Sequence, residues 1–223
     1  MKLYHGSNRI IEEPQYGYGK KNNDYGVGFY CTEDVDLARE WSVQKDTDGV
    51  VNAYNLDITD LSVLDLNSDE FCILNWLVIL LKNLRFDIQY DFGKEAKKYL
   101  IDNFGVDYES YDVIKGYRAD DSYFSFAQDF INNIISFSTL KNAMTLGILG
   151  EQIVLKSNKA FETIQFDESF YVDSSVWFPK KETRDKKARN EYYDLRQKPW
   201  KKGEIYMMQI LDMELKKDDA RLR

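Results

Sequence analysis

One histidine, two cysteines and three prolines in 223 residues leave little material for several kinds of chemistry. Cys31 and Cys72 form no CxxC pair, and the sequence holds no Cys/His cluster. No metal site is therefore expected, and both thiols read as reduced. The most apolar stretch, residues 71–81, is only eleven residues long. A bilayer-spanning helix needs about 20, so this stretch reads as a buried core helix and no membrane contact is expected. The N-terminus lacks the basic, apolar and small-residue pattern of a signal peptide, and the expected location is cytoplasmic. Positive charge is scarce as well: 38 acidic against 30 basic residues give net −8. That balance argues against the uniformly basic surface of a strong nucleic-acid binder. The scarcity is uneven, because residues 180–202 hold ten Lys/Arg against four Asp/Glu and carry +6, leaving −14 for the rest. Such a stretch reads as a solvated helix face, with contact to a polyanion as the alternative.

What is present suffices for one sizeable domain, since 43% of residues are apolar and 15% aromatic. A short strand is expected at 2–4, followed by a turn at Gly6, Ser7 and Asn8. The segment after it is rich in Gly, Asn and Tyr and reads as a long exposed loop, which in compact domains is usually functional. Strand character resumes at 28–32, with Thr32 expected as the N-cap of a helix over 35–43. Two further strands are expected at 50–56 and 61–66. Residues 67–147 are largely helical in pattern, with helices at 69–84, 94–103, 123–136 and 138–146 and a short strand at 111–114. A strand at 152–155 and a helix at 158–164 follow. From Asp185 onward the tail reads as two charged helices separated by Lys198, Pro199 and Gly203. The expected class is α+β, with a domain over 1–166 carrying a helical insertion (67–147) and a charged helical extension (167–223) packed on it.

The single histidine stands in the motif Tyr4-His5-Gly6-Ser7. Two other motifs follow in order: Gly26-Val-Gly28-Phe29-Tyr30-Cys-Thr32, and Gly150-Glu151-Gln152 opening the strand at 152–155. Each alone also has a bland reading: a half-buried hydrogen-bonding histidine, a core tyrosine, a solvated glutamate at a strand start.

Taken together, the three motifs resemble the His-Tyr-Glu branch of the ADP-ribosyltransferases, which includes diphtheria-toxin-like enzymes and poly(ADP-ribose) polymerases. More narrowly, they are similar to a bacterial family of uncharacterised domains sharing YHGS and GFYxT. The resemblance spans roughly residues 1–60 and 110–166. It implies a split β-sandwich around an NAD cleft and transfer of ADP-ribose, most simply a single unit, to a macromolecular acceptor. It further implies that His5 fixes the adenosine-side ribose and that Gly6 and Ser7 contact the nicotinamide amide. Gly28 lies in the strand that presents Tyr30, and Tyr30 and Trp41 would flank the nicotinamide. Glu151 would be the decisive carboxylate, with His5 and Tyr30 completing the catalytic set. Ala38 replaces the serine that polymerase-type members carry eight residues after the tyrosine. Leu149, two before Glu151, departs from the pattern of arginine-modifying relatives. Gln152 follows Glu151 and, by strand alternation, belongs to the opposite sheet face.

The residue types also suit this chemistry on physical grounds. Cleaving the bond between nicotinamide and ribose builds positive charge on the sugar, which a nearby carboxylate stabilises. Aromatic rings hold a flat cationic ring by cation–π and dispersion contacts. Such an enzyme fits a bacterial toxin or phage-defence role, with an antitoxin as a further expected partner. Two alternatives are a catalytically silent domain that binds NAD or a partner, and an NAD-dependent RNA 2′-phosphotransferase, against which Arg9 is the only arginine near His5.

Overall fold

The computed structural model describes residues 1–223 apart from 89, 119, 120, 145–149, 200 and 223. The expected helix end at Leu146, and Leu149 and Trp200, lie outside the described residues. The architecture is α+β, built on two sheets. Three antiparallel strands make the first: β1 (Lys2–Ser7), β3 (Gly49–Leu56) and β7 (Ile164–Val172), in the order β1-β3-β7. The second has the order β2-β6-β5-β4, from β2 (Phe29–Cys31), β4 (Val63–Asp65), β5 (Val113–Tyr117) and β6 (Glu151–Leu155). Only β4 and β5 run parallel.

Period-two alternation sends Leu3 and Leu56 of the first sheet toward Cys31, Val113, Ile153 and Leu155 of the second, and these form one buried cluster between the sheets. Paired bonds between Tyr4 and Thr32, at 2.8 and 2.9 Å, stitch the two sheets at one edge. On the outer face of the first sheet, Val51 and Val172 pack with Ala38 of α1 (Val35–Ser42). The outer face of the second sheet carries the helical insertion: α2 (Ile73–Asn83), α3 (Asp91–Phe104), α4 (Asp121–Ile131) and α5 (Phe137–Ala143). The eleven-residue apolar run supplies α2, whose side chains from Ile73 to Leu81 are all buried.

Four expectations about elements are corrected. β1 continues through His5, Gly6 and Ser7, because each pairs with β3, down to Ser7 opposite Val50. The helix α1 is capped by Asp34, which accepts from the backbone N–H of Asp36 at 2.8 Å; Thr32 Oγ1 instead accepts from Asp34 N–H. The strand β7 was not expected, and it crosses residue 166, so residues 167–172 complete a sheet rather than begin a helical extension. The long helix α7 (Ser174–Arg196) starts well before Asp185 and passes through Pro179. Past it, a short helix α8 (Met207–Asp212) and a 3₁₀ turn at Ala220–Leu222 return to the core. Tyr192, Met207, Ile210, Leu215 and Leu222 all join the cluster formed by the insertion. The tail is thus packed on the same domain.

Candidate functional site

A cleft of about 960 Å³ is lined by residues of both sheets, among them His5, Gly6 and Ser7 of β1 and Gly28 and Tyr30 at β2, and by Trp41 of α1. Its volume falls within the about 300–1,000 Å³ typical of ligand sites. These six are the expected binding residues, from the first two motifs and from α1, and the fold brings them together.

His5 Nδ1 lies 2.7 Å from the carbonyl oxygen of Tyr30. A carbonyl can only accept, so Nδ1 carries the proton and Nε2 of the neutral ring is left as an acceptor. Burial lowers the imidazole pKa below its ordinary value, with the Tyr30 carbonyl opposing, so the neutral form prevails near pH 7. The ring stacks on Phe29 at 4.4 Å. A neutral, oriented acceptor suits a hydroxyl-bearing ligand better than it suits proton abstraction.

Gly6 has a structural reason to lack a side chain. A Cβ there would stand 2.3 Å from the carbonyl oxygen of Ala38 and 3.0 Å from Cβ of Trp41. The glycine is what lets α1 lie directly against β1, and so brings Trp41 to the cleft. Gly28 answers to β6 in the same way, since a Cβ would meet Val154 Cγ1 at 2.5 Å. The Ser7 hydroxyl is engaged locally: it donates to the Arg9 carbonyl at 2.5 Å and accepts from Asn52 Nδ2 at 3.1 Å. Tyr30 donates its hydroxyl to the Gly26 carbonyl at 2.6 Å and accepts from Tyr25 N–H at 3.1 Å. Gly26 closes this turn with φ of +74°. Burial raises the Tyr30 phenol pKa well beyond its ordinary value, so the ring is a neutral wall. Lys156 steadies the same turn, donating to the carbonyls of Tyr25 and Val27 at 2.6 and 2.8 Å.

Trp41 meets an unforeseen neighbour. The Arg118 guanidinium, which also lines the cleft, lies 5.0 Å from its ring centroid, within cation–π range. Trp41 Nε1 is buried without a hydrogen-bond partner.

Glu151 is the one expected site residue that the fold keeps out of the cleft lining. Its Oε2 pairs with Lys115 Nζ at 2.9 Å, and its Oε1 accepts from Asn67 Nδ2 at 2.5 Å. Register parts it from its neighbour. Tyr30 stands opposite Val154 in the β2–β6 ladder, so Tyr30, Val154 and Gln152 share one sheet face and Glu151 shares the other with Ile153. It is Gln152 that lines the cleft, 6% exposed, with Nε2 3.2 Å from Oδ2 of Asp24, itself buried. The expected alternation of Gln152 and Glu151 holds, and of the two it is the glutamine that lines the cleft.

Three further residues escaped the sequence reading. Asn52, fully buried, ties down the loop after β1: it donates to the Ser7 hydroxyl and the Arg9 carbonyl, and accepts from Ile11 N–H at 2.8 Å. Asn52, one of two asparagines in the otherwise apolar stretch 50–56, was the available signal. Asp24 could have been flagged as the acidic residue opening the Gly26–Tyr30 turn. Arg118 carries no signal in sequence, since only the end of β5 delivers it. The expected long loop is real: residues 8–28 hold no helix or strand, and their first half walls the cleft.

The fold and cleft together define a two-sheet α+β domain with a ligand-sized opening lined by residues of both sheets. The chain belongs to the family described as protein of unknown function DUF3990, which it matches over residues 1–166. Neither a curated protein nor a solved structure matches it. No helix among the described residues is long and apolar enough to cross a membrane.

Proposed function

We propose that the cleft binds NAD and that the chain transfers ADP-ribose from it to a macromolecular acceptor. The observation that carries this reading is the convergence of His5, Gly6, Ser7, Gly28, Tyr30 and Trp41, from three separate stretches of sequence, on one cleft lined by residues of both sheets. In this reading the neutral His5 ring accepts a ribose hydroxyl at Nε2. Tyr30 and Trp41 bound the flat nicotinamide, whose positive charge is attracted to aromatic faces. The backbone of Gly6 pairs with the carboxamide, close approach being possible where no Cβ intervenes. The loop over 8–28 excludes water from the sugar, which strengthens every charge interaction there. The acceptor, whether protein, RNA or DNA, and an antitoxin partner belong to the same proposal.

One observation favours a second reading, a catalytically silent domain that binds NAD or a partner. The residue of β6 in the cleft is an amide, Gln152, where the resemblance implies a carboxylate. Release of nicotinamide from labelled NAD separates the two readings: the first predicts turnover, the second predicts binding alone. Tryptophan fluorescence offers a companion check. NAD is expected to quench it in the parent and much less in Trp41→Phe; equal quenching in both would remove Trp41 from the site.

A further inference from the structure

Gln152 and Asp24 form a buried polar couple on the cleft floor, with exposures of 6% and 8%. A carboxylate oxygen can only accept, so the 3.2 Å contact fixes the amide with its NH₂ toward Asp24. That orientation leaves Gln152 Oε1 buried and without a partner. Leaving a buried amide oxygen unpaired is unfavourable, a cost that a donor on a bound ligand would remove. Glu151, held by Lys115 and Asn67 on the opposite face, is spent on the scaffold.

We infer that Asp24, steered by Gln152, is the carboxylate that serves the reacting sugar, and that Gln152 Oε1 receives a hydroxyl or amide donor of the same ligand. The inference rests on reading the cleft as an NAD site. The bond between C1′ of the ribose and the ring nitrogen of nicotinamide breaks, and both electrons leave with the nitrogen. The cationic pyridinium thereby becomes neutral nicotinamide, and the positive charge passes to C1′ and the ring oxygen of the sugar. The Asp24 carboxylate stabilises that charge. A nucleophile, either water or an acceptor hydroxyl or amine, gives an electron pair to C1′, and its proton leaves to bulk water. Asp24 ends as it began. Because the charge develops only as the bond breaks, Asp24 acts on kcat far more than on binding.

The test is nicotinamide release from NAD, with water as the acceptor, alongside calorimetric NAD binding and a melting curve for each variant. Asp24→Asn is expected to lower kcat by about 10²–10³-fold while changing NAD affinity less than about threefold. Asp24→Glu keeps the charge at a shifted position, and its kcat is expected to fall between the two. Gln152→Glu discriminates most sharply. It places a second carboxylate beside Asp24, so one of the pair resists ionisation and turnover is expected to drop. If position 152 is simply missing its carboxylate, the same variant gains turnover. An Asp24→Asn enzyme as fast as the parent, or a Gln152→Glu enzyme faster than it, overturns the inference. A parent that binds NAD without releasing nicotinamide also overturns it and leaves NAD binding standing. A parent that binds no NAD overturns the proposed function itself.

Discussion

At the scale of single residues, the account divides neighbouring side chains of β6 by the face they occupy. Glu151 sits in a network with Lys115 and Asn67, and Glu33 Oε2 lies 4.0 Å from the same lysine. Attraction to the carboxylate raises the Lys115 pKa above its ordinary value, the hydrogen bond that Lys115 donates to Glu151 leading. Glu151→Gln should therefore leave nicotinamide release within about threefold of the parent and lower stability slightly, as partly exposed ion pairs contribute about 0–1 kcal/mol. A kinetic assay and a urea titration of the same sample check both halves. A loss of about 10²-fold in rate would return the decisive role to Glu151. The sequence made His5, Tyr30 and Trp41 legible because their spacing is carried by motifs. It put Glu151 and Gln152 on opposite faces and favoured Glu151, and only the fold shows that Gln152 is the one lining the cleft.

Elements show the same division between local signal and long-range register. Helix α2 was readable from its continuous apolar run, and β3 from its Val and Tyr content within one residue of its start. β7 hid because of a bulge. Tyr54 pairs with Phe166 but Ala53 pairs with Glu168, so Asp167 is an extra residue and the apolar side chains change faces midway. Ile164 accordingly packs in the cluster between the sheets and Phe170 on the outer face. The early start of α7 was hidden by Pro179, which ordinarily argues against a helix interior. Its basic stretch is now divided. Tyr192 is buried against Phe126 at 3.7 Å, and Arg184 pairs with Glu40 at 2.5 Å, whereas Lys186 and Lys187 are exposed. The contact most relevant to the cleft is that of β1 with α1. Gly6→Ala inserts a methyl 2.3 Å from the Ala38 carbonyl, which must push α1 away. A loss of about 1–3 kcal/mol in denaturant unfolding is expected, together with weaker NAD binding as Trp41 is displaced. An unchanged unfolding midpoint would mean that α1 is not seated as described.

For the whole molecule, two sheets hold the cleft while helices on their outer faces hold the sheets. The family match ends at residue 166, inside β7 and ahead of α7 and α8. Yet Tyr192, Met207, Ile210, Leu215 and Leu222 are part of the largest core cluster. A chain cut after Phe166 would lose most of β7 and all five of these side chains. Burying one large apolar side chain contributes about 1.5–3 kcal/mol, so losing all five removes about as much as the about 5–15 kcal/mol by which domains are stable. The truncated chain is expected to give no cooperative thermal transition, whereas the full chain melts cooperatively; equal melting would make the extension a separate accessory. Composition and periodicity made the α+β class and the insertion legible. They did not show that the tail is core, because α7 is polar on most of its surface and buries only Ser174, Ala188 and Tyr192.

The central claim is that the cleft lined by His5, Tyr30 and Trp41 is an NAD site with His5 oriented toward the ligand. Calorimetric titration of NAD into the full-length parent and into His5→Ala tests it most directly. Saturable binding at one site per chain is expected for the parent, with affinity about tenfold or more weaker in His5→Ala, the loss of one buried, oriented hydrogen bond. No heat of binding to the parent at millimolar NAD, or equal affinity in the two proteins, would contradict the account.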